Sequence, residues 1–444
     1  MRYQSGWLKS GIYSTFNRLT IAGFGFINFF ILIRLISKDD FGIWVLFISV
    51  ATILESIRRS FIYNSLVRHI NIEDAEERTT IISSSLVLNV FSAIVAILLL
   101  LGLREVLVEV WNAPALSEML LIYTIGQLLF TVVVHFNSVS ESYSSFAGTF
   151  FSSLVQRLSF LIIVVSFYFY GYEISLVYLA YFHVTSIALG ALFAVFFGMS
   201  YQAFSGYKTQ WILKHFHYGK YTFGTNLGSM IFKNTDSWML GSIISNEAVA
   251  IYNPAIRISN LFEVPLGAIS SVVFPNMVRR IKENGIREAK YLYEKTVALS
   301  LAVITPFAVL TIVFARSITI FIAGEPYEDS YELLQITMLY GLVVPFNRQF
   351  GITMNAIGRS NINFYVLLAN TILNVALNWI LIHSFGLVGA AIATLISYLL
   401  VLLVSEIILS NMINVNILNV GKYFFSSYRQ IFNTLISLNG KKKA

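Results

Sequence analysis

Apolar runs about as long as a bilayer is thick, broken by short polar or charged connections, fill nearly all of the 444-residue chain. A spanning helix needs about 20 mainly apolar residues. On that basis the runs place spans near 14–36, 41–66, 80–102, 117–140, 150–170, 174–198, 218–244, 248–275, 295–322, 332–357, 361–384 and 387–410. The longest polar stretch between spans, Tyr201 to His217, falls near mid-chain. It predicts an N-terminal six-helix lobe over 1–200, a cytoplasmic connection over 201–217 and a C-terminal six-helix lobe over 218–410. The remainder, 411–444, sets apolar residues at helical spacing beside Lys422, Arg429 and the run Lys441–Lys443, which reads as a basic amphipathic tail at the cytoplasmic interface.

The two halves share text. Ile36-Ser-Lys-Asp-Asp-Phe-Gly-Ile-Trp44 aligns with Ile244-Ser-Asn-Glu-Ala-Val-Ala-Ile-Tyr252, and at the same offset Glu55 falls on Glu263. After a small gap, Val67-Arg-His-Ile70 meets Val278-Arg-Arg-Ile281. Loop, span and basic exit thus recur in the same order and orientation, the pattern of a parallel repeat of two six-helix bundles.

Composition agrees. The chain is 57% hydrophobic and 12% charged, against about 25% charge in soluble domains, so the expected class is an all-α integral membrane protein with about twelve transmembrane helices. The absence of cysteine removes disulfides, thiolate metal sites and cysteine nucleophiles. No GxxxxGK[ST], HExxH or GxSxG motif occurs and no hydrophilic stretch could fold into a nucleotide-hydrolysing domain. Neither an enzyme nor a resident cofactor is therefore expected. The net charge of +7 finds its explanation in the loops. One side collects Arg2, Lys9, Arg68, Arg78, Lys208, Lys214, Arg279, Arg280, Lys282, Arg287, Lys290, Arg359 and the basic tail, whereas the other has little beyond Lys38, Arg104 and Arg316. The positive-inside rule then puts both termini in the cytoplasm, with no need for nucleic acid as a partner.

The informative residues are ionisable groups inside predicted spans: Glu55, Arg58, Arg59, Arg157, Lys233, Asp236, Arg257, Glu263 and Arg348. Each costs about 2.5–3.5 kcal/mol at a helix centre, so each must pair, snorkel or line water. Spacing offers internal pairs, Glu55 with Arg58 or Arg59 and Lys233 with Asp236. Arg257 and Glu263 share no face and need partners on other helices. The sum is positive, six basic groups against three acidic ones. Guanidinium forks match phosphate and carboxylate oxygens and keep their proton, so the excess points to an anionic substrate head. His135 and His183 read as hydrogen-bonded structural residues, with no second ligand at metal spacing.

Asn234-Thr-Asp-Ser-Trp-Met-Leu-Gly241, Ala250-Ile-Tyr-Asn-Pro-Ala-Ile-Arg257, Asn355-Ala-Ile-Gly-Arg359 and Gly386-Leu-Val-Gly-Ala-Ala-Ile-Ala-Thr-Leu-Ile-Ser397 resemble the Wzx-type lipid-linked oligosaccharide flippases of the multidrug/oligosaccharidyl-lipid/polysaccharide exporter superfamily. Leu35-Ile-Ser-Lys-Asp-Asp-Phe-Gly42 also looks like that family's first loop. The resemblance implies two lobes rocking about a central cavity in a bacterial inner membrane. The cargo would be an undecaprenyl-pyrophosphate-linked oligosaccharide, an O-antigen or capsular repeat unit, carried from the cytoplasmic to the periplasmic leaflet. It implies that Arg58, Arg59, Arg257 and Arg348, with Arg157 and Lys233, meet the anionic head. Glu55, Asp236 and Glu263 are then candidates for coupling to a proton or sodium gradient, and a polysaccharide polymerase and other assembly proteins are candidate partners. A small-molecule exporter of the same superfamily, a lipid-linked peptidoglycan-precursor flippase and a membrane polymerase or ligase are the rivals.

Overall fold

The computed structural model describes residues 2–202 and 204–441, which are helical almost throughout, with no strand among them. In chain order the helices are α1 (Arg2–Leu35), α2 (Lys38–Ile72), α3 (Arg78–Val110), α4 (Ala115–Ser142), α5 (Ala147–Phe169), α6 (Leu176–Gly198), α7 (Thr209–Ile243), α8 (Asn246–Ser259), α9 (Glu263–Asn284), α10 (Arg287–Val313), α11 (Ala315–Ala323), α12 (Ser330–Gly341), α13 (Val344–Ile357), α14 (Ser360–Ile413) and α15 (Ile417–Lys441). Lys442 and Lys443 of the basic run lie outside the described residues.

Every predicted span has a helical counterpart, but several are subdivided. The eighth is α8 and α9, separated by a 3-10 turn at Asn260–Phe262. The ninth breaks at Phe314 into α10 and α11, and the tenth at Leu342 and Val343 into α12 and α13, where Pro345 suits a helix start. Conversely, the eleventh and twelfth run together as α14, reversed within it by Gly386 at φ 59°, ψ −136°. A Cβ on Gly389 would lie 2.0 Å from the Leu381 carbonyl oxygen, so the two arms of α14 fold back closely on each other. Among the described residues, nine helical segments are long and apolar enough to cross a bilayer. Polar α7, with Lys233 and Asp236, is not among them.

Polarity runs inside out, as lipid solvent requires. The α14 helix buries Asn370, Asn374, Asn378, Thr394, Ser397 and Ser405 while exposing Ile372, Trp379 and Leu403; Asn374 Nδ2 reaches Thr394 Oγ1 at 3.2 Å and Ser397 Oγ at 3.3 Å between its arms. Likewise α3 buries Ser83, Ser84, Ser85 and Asn89 and exposes Val90, Phe91 and Leu98. Together these describe a multi-pass, all-α membrane protein.

Contacts divide the chain into two units, Met1–Ala250 and Ile251–Ala444. In the first, α4 packs on α6 and α3, α5 on α6 and α1, and α7 lies along α2 and α3. The sequence reading assigned α7 to the second lobe; its contacts are with the first unit. In the second unit, α10 packs on α9, α13 and α15, and α14 covers α12 and α13.

The shared text of the two halves has a local physical role. Ser37 Oγ accepts from the Asp40 amide at 3.1 Å, and its counterpart Ser245 accepts from the Ala248 amide at 3.2 Å, so the same serine caps the same helix start twice. The two starts also touch. Lys38 Nζ is 3.4 Å from Glu247 Oε1, and a Cβ on Gly42 would stand 1.9 Å from the Asn246 carbonyl oxygen, a space only glycine leaves.

Candidate functional site

Each unit carries its own set of charged groups. In the first, α2 brings Glu55 and Arg58 inward three residues apart. They do not simply pair with each other as their spacing suggests. Arg58, 3% exposed, is enclosed by neutral acceptors from α3 and α4: Nη1 donates to Gln127 O at 3.0 Å and Oε1 at 2.7 Å, Nη2 to Thr131 Oγ1 at 2.7 Å and Asn89 Oδ1 at 3.2 Å, and Nε to Ser92 Oγ at 3.4 Å. All five donors of the guanidinium are thereby used. Glu55 Oε1 instead accepts from the Tyr123 hydroxyl at 2.6 Å, with Arg157 of α5 within electrostatic reach. Next to Tyr123 stands His183, ringed by Trp44, Phe47 and Phe160 at centroid distances of 6.1, 6.2 and 6.1 Å.

Arg59, the next residue of α2, turns to a different partner. Its Nη2 is 2.9 Å from Glu141 Oε1, which also accepts from Thr149 Oγ1 at 2.5 Å; the Glu141 side chain is 3% exposed and that of Arg59 43%. His135 Nε2 lies 2.9 Å from Gln202 Oε1. On α7, Lys233 is exposed, whereas Asp236, one turn on, is buried.

In the second unit, Arg348 of α13 bridges to α9. Its Nη1 pairs with Glu263 and its Nε donates to Ser270 Oγ at 2.8 Å, and both charged side chains stay partly exposed, at 29% and 42%. Glu263 thus finds the interhelical partner its position demands. Arg257 of α8 is half-buried, with Nε 3.4 Å from Asn253 Oδ1. The structure therefore gathers Glu55, Arg58 and Arg157 in one cluster within the first unit and Glu263 and Arg348 in another within the second, while Arg59 pairs with Glu141.

This geometry joins a helical, inside-out scaffold to polar groups held between helices. A family model described as polysaccharide biosynthesis protein matches residues 7–281. The chain belongs to the polysaccharide biosynthesis protein family. A second family model, MatE, matches residues 222–380 of this family member. Among named relatives, a probable low-salt glycan biosynthesis flippase, Agl15, of Haloferax volcanii is 24% identical over 183 residues, 41% of this chain and 39% of that protein. A probable flippase of the same organism, AglR, is 32% identical over 200 residues, 41% of this chain and 39% of that one. The chain matches about two fifths of the length of these relatives. The solved lipid II flippase MurJ, in an inward closed conformation, superposes with a TM-score of 0.75 at 15% identity, covering 97% of this chain and 93% of that one; the likeness is one of fold.

Three carboxylates of this polysaccharide-biosynthesis family member escaped the sequence reading. Glu141 lies just past a predicted span end and Glu294 just before a predicted start, while Glu406 lies within the last span and was not counted. Glu141 and Glu294 are buried, and Glu406 accepts from the Tyr293 hydroxyl. Counted with them, carboxylates are better represented among the buried charges than the six-to-three count of the sequence suggests. The signal was available in the text: acids within a few residues of a predicted span end belong in the count.

Proposed function

We propose that this protein moves a lipid-linked oligosaccharide across the membrane by alternating access. The observation that carries the reading is the family match over residues 7–281, supported by relatives named as probable flippases. The cargo is an undecaprenyl-pyrophosphate-linked repeat unit, taken from the cytoplasmic to the outer leaflet of a bacterial inner membrane. Both termini stay in the cytoplasm, no covalent chemistry is performed, and a polymerase consumes the delivered unit.

The charged groups divide this labour by availability. Arg348 is held by a partly exposed carboxylate, so an incoming pyrophosphate can displace Glu263 and take the guanidinium bidentately. Half-buried Arg257 and exposed Lys233 supply further cationic contacts. Arg58, with its donors occupied, positions α2, α3 and α4, and Arg59 and Arg157 act through Glu141 and Glu55. Glu263, once displaced, is free to take up a proton or sodium ion, and Glu55 and Asp236 are the other coupling groups.

The test is a host strain lacking the gene. Lipid-linked oligosaccharide should accumulate on the cytoplasmic face, and the wild-type chain, unlike Arg257→Ala or Arg348→Ala, should restore its export. The MatE match over 222–380 favours one alternative, export of a small cation. An unchanged surface glycan with intracellular retention of such a cation would establish that alternative and overturn the flippase.

A further inference from the structure

The final helix is clasped to the second unit by a buried carboxylate. Glu294 of α10, 1% exposed, accepts from the Asn416 backbone amide at 2.9 Å and from Asn419 Nδ2 at 3.1 Å, holding the amino-terminal end of α15. Asn414, at φ 56°, makes the turn that brings the chain there. Val420 of α15 is buried in a core with Ala289, Tyr293, Val297 and Leu409, and Tyr423, Phe424 and Ile281 of α9 pack against the same core. The inner face of α15 is therefore fixed, and so is the outer one.

At about 100° per residue, Leu418, Lys422, Phe425 and Arg429 fall on one stripe roughly 60° wide, opposite Val420 and Ser427. Leu418 is 72% and Phe425 74% exposed, and Lys422 and Arg429 are exposed between and beyond them. Apolar and cationic side chains thus alternate along a single line. Neither bulk water nor hydrocarbon alone solvates such a line; the boundary between acyl chains and headgroups solvates both parts. The end of α9 and the start of α10, which share the core beneath α15, add exposed Arg279, Arg280, Lys282 and Arg287. Nearby acids offset this only in part, since Glu288 is 3.4 Å from Arg280 and Glu294 faces inward, leaving Glu283 exposed.

We propose that the outer stripe of α15, with the basic turn between α9 and α10, is a docking surface for anionic phospholipid headgroups. Phe425 and Leu418 enter the acyl boundary while Lys422, Arg429 and the turn arginines hold phosphates. The surface lies apart from Arg257 and Arg348 in function: it seats the second unit against one leaflet and does not handle cargo.

The experiment places the full-length chain, as Phe425→Trp, in nanodiscs of phosphatidylcholine with or without phosphatidylglycerol. Bromine on the upper acyl carbons should quench the added indole, read as the difference from the unsubstituted chain with its own six tryptophans, at least twofold more with the anionic lipid present. Lys422→Gln with Arg429→Gln should cut retention of phosphatidylglycerol on the purified protein by fivefold or more; both residues are exposed, and unchanged circular dichroism checks the fold. Absence of quenching, or equal retention of phosphatidylcholine, overturns the proposal. So does full displacement by inorganic phosphate, which would make the site one for free anions. Cross-linking of Phe425→Cys into dimers at native yield would assign the stripe to a second copy, which likewise overturns it.

Discussion

Arg58 in the first unit and Arg348 in the second are both arginines within apolar text, yet the structure treats them oppositely. Arg58 is sealed among amides and hydroxyls of two neighbouring helices, with no donor left. Arg348 shares one half-open ion pair and one serine. A charge surrounded by neutral, fixed dipoles is part of the scaffold, because each dipole would be stranded without it. A charge held by a partly exposed carboxylate leaves its partner within reach of solvent, so losing that partner strands no buried dipole. Counting charges in a sequence cannot distinguish the two, whereas counting their partners can.

The contrast is broken most forcefully by Arg58→Met. Asn89, Gln127 and Thr131 would lose their shared partner, at about 1–3 kcal/mol for each buried group left unsatisfied. The expected outcome is a steep fall in folded protein in the membrane, read by the thermal midpoint in detergent. Arg348→Ala is expected to leave that midpoint within about 1 kcal/mol of the native stability, since a partly exposed pair contributes little, and to reduce flipping at least tenfold in proteoliposomes. Equal loss of stability in both variants would erase the distinction.

Glu141→Gln tests the intermediate case, a buried carboxylate serving a half-exposed arginine. A loss of about 1–2 kcal/mol is expected for the weakened charged hydrogen bonds, visible as a lower midpoint that Arg59→Gln does not reproduce in full. The smallest effect lies outside the membrane, where Glu77 accepts from Lys208 Nζ at 2.7 Å and from Trp211 Nε1 at 2.8 Å. These bonds hold its carboxyl below the usual carboxylate range. A depressed value means that the contribution is complete above the ordinary carboxylate pKa of about 4.3 and fades as pH falls through the lowered one. Proteolysis near 201–208 should therefore quicken only at strongly acid pH, and Glu77→Gln should bring that susceptibility to neutral pH.

Much of the fold was legible because a bilayer imposes length and polarity on each helix. The boundary placed between spans at 384 and 387 coincides with Gly386, the non-helical residue between the two helical arms of α14. The break at Leu342 and Val343 had a signal in Gly341 and Pro345, whereas the one at Phe314 has neither glycine nor proline beside it to mark where the backbone turns. The charged residues were legible too, but their partners were not. Arg58 is satisfied by Asn89, Ser92, Gln127 and Thr131, neutral residues that a census of charge omits, and Glu406 was passed over amid the apolar residues around it. The glutamate spacing in α2 suggested a local pair, and long-range packing supplied Tyr123 and Glu141 instead.

Gly386 has a consequence for how the chain enters its bilayer. The two arms of α14 are joined through a single residue, and between Arg359 and Lys422 the text contains neither lysine nor arginine. No lysine or arginine within the hairpin can orient one arm before the other. By the positive-inside rule the basic residues that bear on the direction of the pair are Arg359 ahead of it and Lys422 behind, so the two arms share one orienting signal.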